Sequence, residues 1–180
     1  GSGTGDWSFA GTLQNNGTTN FGGGNATTTG AVTNPGTIVA PVGVLNFVDA
    51  FTNTGTFTHN SGKVQLSGTA SPSIAGVLYN NFQSIKTSGT ATMAASSTIL
   101  GTLDVNGAGE TLSSAANALT VVGVSTVLSG GTVTSTSGNL TFTGNVTSTG
   151  SIGSGTGDWS FAGTLQNNGT ANFGGGNATT

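Results

Sequence analysis

Residues 1–28 of this 180-residue chain recur as residues 153–180 with a single change, Thr19 becoming Ala171. A chain that repeats itself this closely folds as stacked units, each burying its apolar side against the next. The one difference marks the two segments as neighbouring copies. Residues 1–152 therefore read as one long tandem repeat, and residues 153–180 as the start of the next, near-identical one.

A finer period lies inside the coarse one. Gly17, Gly36, Gly55, Gly131, Gly150 and Gly169 follow one another at intervals of 19, 19, 76, 19 and 19, and the offset between the two copies, 152, is eight times 19. The expectation is about eight coils per long repeat, each one such interval long. Aligned on that period, Leu13, Val32, Phe51, Val127, Val146 and Leu165 fall in one column, and Thr19, Ile38, Phe57, Val133, Ile152 and Ala171 in another. Each unit ends in an apolar, any, apolar pair: Leu45/Phe47, Val64/Leu66, Leu140/Phe142 and Trp159/Phe161. Alternation with a period of two is the mark of a strand with one buried side. No window carries a sustained helical period, so no helix is expected. The predicted core is Leu13, Val32, Ile38, Phe51, Phe57, Val133, Phe142, Val146, Trp159 and Phe161, with Trp7 filling the same inward column as Trp159.

Turn chemistry separates the strands. Asn34-Pro35-Gly36-Thr37 has Pro and Gly where a type II turn wants them, with positive φ at the glycine. Asn15-Asn16-Gly17-Thr18 and Asn53-Thr54-Gly55-Thr56 share those columns, and Gly24, Gly43, Gly62, Gly138 and Gly157 mark a second corner. A unit this short is too small for a core of its own, so it must stack. The fold predicted is an all-β parallel β-helix, or β-solenoid, with ordinary coils rather than caps at both ends. Asn15, Asn34, Asn53, Ser129, Ser148 and Asn167 would then form a ladder of amides and hydroxyls along the axis. Eight coils about 4.8 Å apart would advance the axis by roughly 38 Å per long repeat.

Residues 69–125 break the register, with apolar pairs at Phe82/Ile85, Leu103/Val105 and Leu119/Val121 and coils of roughly 16 to 21 residues. This stretch holds Tyr79, Lys86, Asp104 and Glu110, and reads as looser coils with exposed loops. Asp104 and Glu110 read as solvated charges flanking a glycine-rich corner.

Chemistry-bearing groups are sparse. Lys63 and Lys86 are the only basic residues, there is no cysteine, and charged residues make up 4 % of the chain. So little positive charge cannot neutralise a phosphate backbone, which argues against nucleic acid as a partner and against anionic membrane surfaces. No apolar run is of membrane length. His59 is the sole histidine and has no second metal ligand or catalytic partner near it in sequence. Asp6, Asp49 and Asp158 sit in separate positions, Asp6 and Asp158 being the same residue in successive copies. Neither a catalytic site, a metal site nor a cofactor is expected. Sequons at Asn16, Asn25, Asn139, Asn145, Asn168 and Asn177 are what an Asn- and Thr-rich sequence produces by composition.

The regular coil length, the Asn-x-Gly-Thr corners and phrases such as Phe51-Thr-Asn-Thr-Gly-Thr-Phe57 and Gly138-Asn-Leu-Thr-Phe-Thr-Gly144 resemble the β-helix repeats of filamentous haemagglutinin and related giant bacterial surface proteins. The resemblance implies a right-handed coil, an extracellular or cell-surface location and the role of a stalk, adhesin shaft or fibre. It transfers no binding residue. Partners would be further copies of the same repeat, by continuation or end-to-end stacking, and laterally neighbouring shafts. Two other function classes fit the fold. An ice-binding solenoid needs a flat face of paired threonines; Thr18, Thr37, Thr56, Thr132 and Thr170 supply one column, but its partner reads Asn20, Val39, Thr58, Thr134, Asn172. A carbohydrate-binding or carbohydrate-cleaving β-helix needs clustered acids or basic groups along a groove.

Overall fold

The computed structural model describes residues 3–153 and 155–180. Every strand pairing is parallel, and among the described residues there is no helix. Each turn contributes three short strands, one to each of three faces that enclose the core: the chain is a parallel β-solenoid. The first face runs from Trp7–Phe9 through Ala26–Thr28, Val44–Phe47, Lys63–Leu66, Asn81–Ser84, Leu103–Val105, Ser125–Val127 and Val146–Ser148 to Leu165–Asn167. The second face, also nine strands deep, runs from Leu13–Gln14 to Thr170–Asn172. On the third, Thr18–Asn20, Thr37–Val39 and Thr56–Thr58 form a sheet of three, and Leu78–Tyr79 to Ala178–Thr179 a sheet of six.

Alternation decides which side chains go in. Leu45 and Phe47 are buried while Asn46 between them is half-buried, and the same holds at Val64/Leu66, Leu140/Phe142 and Trp159/Phe161. Successive turns then stack like on like: Val32 lies between Leu13 and Phe51, and Leu140/Phe142 on Trp159/Phe161. Val32, Ile38, Phe51, Val133, Phe142, Val146, Trp159 and Phe161 are fully buried, and Leu13 and Phe57 pack partly buried against them. Each inward side chain thus meets its counterparts above and below, which is how so short a unit acquires a core.

The column alignment needs correction. Leu13, Val32 and Phe51 stand on the second face, whereas Val127, Val146 and Leu165 stand on the first. Ile38 and Phe57 belong to the third face, Val133 and Ile152 to the second. The cause is the length of the middle turns. On the first face the residues in register are Trp7, Ala26, Leu45, Val64, Phe82, Leu103, Ser125, Val146 and Leu165, so the step is 19 three times, then 18, 21, 22 and 21, then 19 again. The copies Trp7–Phe9 and Trp159–Phe161 are 23 strands apart, seven and two-thirds turns instead of eight, and about 37 Å of axis at about 4.8 Å per turn.

Three local readings also change. Gly36 is absent from the glycines with positive φ, so the corner after Asn34 is not the type II turn its sequence suggests. Its requirement is space: a Cβ on Gly36 would lie 2.1 Å from the carbonyl oxygen of Gly17 in the turn beside it, and one on Gly55 would lie 2.0 Å from that of Gly36. Ile85 is exposed and Ser84 takes the inward place beside Phe82, because alternation and not polarity sets the side. Ser129 drops out of the ladder, since Val127 is the residue in register with Ser148.

Candidate functional site

The most organised polar features of the chain run along its axis. Asn15 Nδ2 donates to Asn34 Oδ1 and Asn34 Nδ2 to Asn53 Oδ1, both at 2.6 Å. The second hydrogen of each amide closes on the next turn's backbone, Asn15 to the Thr37 carbonyl at 2.8 Å and Asn34 to that of Thr56 at 2.9 Å. Asn53 ends the run on the Gly55 carbonyl at 3.0 Å. Asn34 is 0 % exposed, so the Asn15–Asn34 bond is made out of reach of water, while the Asn53 end of the run is exposed.

Not every predicted member joins. Asn167, the copy of Asn15, lies on the first face in register with Ser148 and donates to the Gly169 carbonyl at 3.2 Å. Asn15 Oδ1 accepts from Thr19 Oγ1 at 2.9 Å; where Ala171 replaces that threonine, Asn167 Oδ1 is without a donor. Gly17, Gly36 and Gly55 share the corner between second and third faces, while Gly150 and Gly169 share the one between first and second, where Gly131 opens its second-face strand.

A second axial series escaped sequence reading. Asp6 Oδ1 accepts from the Asn25 backbone N at 2.8 Å and from Asn25 Nδ2 at 3.2 Å, and Asn25 Oδ1 accepts from Val44 N at 2.9 Å. Asn81, Asn139 and Asn145 likewise accept a backbone N–H from the next turn, those of Thr102, Asp158 and Thr164. Three of the six sequon asparagines are thus corner fasteners. An Asp or Asn recurring just before an apolar strand was the available signal.

Residues 69–125 contain a buried polar knot. Glu110, 1 % exposed, accepts from Ser84 Oγ and, at 3.1 Å, from Lys86 N through Oε2, and from Gly107 N at 2.7 Å through Oε1. Lys86 is itself buried and its Nζ donates to the Ala70 carbonyl. Burial holds the Lys86 ammonium below its ordinary pKa, partly countered by the Glu110 carboxylate. The expectation of solvated charges therefore fails for Glu110, which sits inside the second face, and stands apart from Asp104, half-buried on the outward side of the first. With both oxygens engaged by donors of its own fold, this carboxylate ties its turn to the one before it, and Lys86 reaches one turn further back through the Ala70 carbonyl.

Elsewhere, His59 accepts at Nδ1 from Ser61 N at 3.1 Å, a corner role. No cluster of metal-binding residues occurs among the described residues, and no helix there is long and apolar enough to cross a membrane. A shallow recess is lined by Gly3, Gly5, Asp6 and Trp7. The copy of that tryptophan, Trp159, is stacked on Phe142 and 1 % exposed, so the recess is the open side of an uncovered coil. The candidate threonine face divides: Thr18, Thr37 and Thr56 lie on the third face, Thr132 and Thr170 on the second.

These features define the class as a parallel β-solenoid in which a run of Asn amides and a series of corner Asp and Asn side chains join turn to turn. Compared with protein families, curated proteins and solved structures, the chain matches none of them.

Proposed function

We propose that this chain is a load-bearing segment of an extracellular fibre or adhesin-like shaft, non-catalytic, wound right-handed and covered at its coil edges by further copies of its own repeat. The observation that carries this reading is the behaviour of one sequence in two settings. Trp7 and Phe9, with a turn on one side, are half-buried; Trp159 and Phe161, with turns on both sides, are 1 % and 2 % exposed. Each copy added therefore completes the core of the last, as open-ended strand edges favour. Pulling along the axis loads backbone bonds, amide ladders and ring stacks together. The test is electron microscopy and single-molecule pulling of the full chain. Unbranched shafts with axial order at about 4.8 Å and repeated unfolding steps are expected; compact particles that extend in one smooth, low-force event would overturn it.

A second reading has one observation behind it. On the second face Thr90/Thr92, Thr111/Ser113 and Thr132/Thr134 are in register on three successive turns, around the buried Ala91, Leu112 and Val133. That is a short hydroxyl surface of the ice-binding kind, interrupted at the buried Ser113, whose Oγ accepts from Ala115 N, and at Gly153 and Asn172. Inhibition of ice recrystallisation by the chain would favour it over the shaft.

A further inference from the structure

We infer that each long repeat turns its successor by one third of a turn about the axis, so that an array of these repeats returns to phase only after three of them. The inference rests on the shaft reading above and adds to it how the sides of the shaft are dressed.

Four pairs of identical or near-identical strands carry it. Trp7–Phe9 is on the first face and Trp159–Phe161 on the third; Leu13–Gln14 is on the second and Leu165–Asn167 on the first. Thr18–Asn20 is on the third and Thr170–Asn172 on the second; Ala26–Thr28 is on the first and Ala178–Thr179 on the third. All four step by one face in the same direction. The step has a cause in chain length. From Trp7 to Leu165 the numbering advances by 158 over eight turns, six more than eight steps of 19 would give, and one of the three sides of a regular turn is about that long.

Two corner contacts are kept in the shifted copy. Asp158 Oδ1 takes Asn177 N at 2.9 Å and Nδ2 at 3.1 Å, as Asp6 takes those of Asn25 at 2.8 and 3.2 Å. Asn172 Oδ1 takes Gly174 N at 3.0 Å with φ 60° at the glycine, as Asn20 takes Gly22 N at 2.9 Å with φ 72°. Each of the four segments is thus hosted on two of the three faces with these corner bonds kept. A second run of long turns adds a second third of a turn, and a third completes the circle after 23 turns, about 110 Å at about 4.8 Å each. The exposed Leu100, Val122 and Val124, which flank the third and first faces, would then point three ways in rotation. No apolar stripe runs the length of the shaft on one side, and lateral contacts are spread around it.

The chain has no cysteine, so one thiol per repeat can be placed cleanly. Gln14 and its copy Gln166 are exposed, on the second and first faces respectively. Gln14→Cys, made in every repeat of the full chain and labelled with maleimide-gold, is imaged by cryo-electron microscopy with averaging along the shaft. Expected are labels about 37 Å apart along the axis, stepping round it by a third of a turn once the shaft's uniform twist is removed, and facing the same way every ~110 Å. Labels that all face one way overturn the rotation and leave the shaft reading intact. Globules with no axial order overturn both. Should Gln14→Cys block assembly, Asn16→Cys, exposed in both copies, gives the same readout.

Discussion

Lys86 and Tyr79 couple the stability of this sparsely charged core to pH in the alkaline range. Desolvation holds the Lys86 ammonium below its ordinary 10.5, against the smaller pull of Glu110. Between that depressed value and about 10.5 the unfolded chain binds a proton that the folded chain has lost, so stability rises with pH across this window. Tyr79 works the other way. Its hydroxyl donates to the Ala75 carbonyl at 2.5 Å, and complete burial pushes its pKa far above 10.0. The unfolded phenol ionises from about pH 10 upward, and the folded one does not, so stability falls there. Denaturant unfolding followed against pH should pass through a maximum at about pH 10. Lys86→Met should remove the rising limb and Tyr79→Phe the falling one. A curve that is flat across the alkaline range in the parent chain would contradict the burial of both groups.

At the scale of the turn, glycine and asparagine do different jobs at the same corner. Asparagine bonds to the neighbouring turn; glycine lets that turn come close. Gly36→Ala would place a methyl 2.1 Å from the Gly17 carbonyl oxygen, and Gly169→Ala one 2.0 Å from that of Gly150. Each should cost about 1–3 kcal/mol, as overpacking does. In a polypeptide of these 180 residues Gly17 has nothing within 4 Å of the same point, so Gly17→Ala made in that polypeptide should change stability by less than about 0.5 kcal/mol. Thermal unfolding of the three variants checks this, and an equal penalty at Gly17 and Gly36 would mean that glycine serves its own backbone and not the stack. Much of this level was legible in the sequence because it recurs: the regular step, the alternation and the Asn15–Asn34–Asn53 amides announce themselves three times over. The phase was not legible. By number alone the second copy begins a whole eight regular steps after the first, while the real steps of 18, 21, 22 and then 21 put that copy on another face. Nor were Ser84 and Glu110, whose inward places follow from strand alternation and from pairing with groups on other turns, distant in sequence.

Across the whole molecule, each turn touches only the turns beside it, which makes stability a chain of nearest-neighbour terms. A lesion should therefore stay local. Val133 is 1 % exposed and lies in register between Leu112 and Ile152. Val133→Asp would bury a carboxylate with no partner, among the few changes able to cost about 4 kcal/mol or more. Phe57, half-buried and ringed by Phe51 and Tyr79, should tolerate the same change better, because its aspartate can reach water. Amide hydrogen exchange is the measurement. In the Val133→Asp chain, protection should fall across residues 110–153 while residues 26–66 keep theirs, the two regions sharing no inward contact. Such a shaft yields turn by turn under load and keeps its remaining length. Uniform loss of protection over the chain would instead mean that the stack unfolds as one body, and a shaft built that way would fail entirely at its first broken turn.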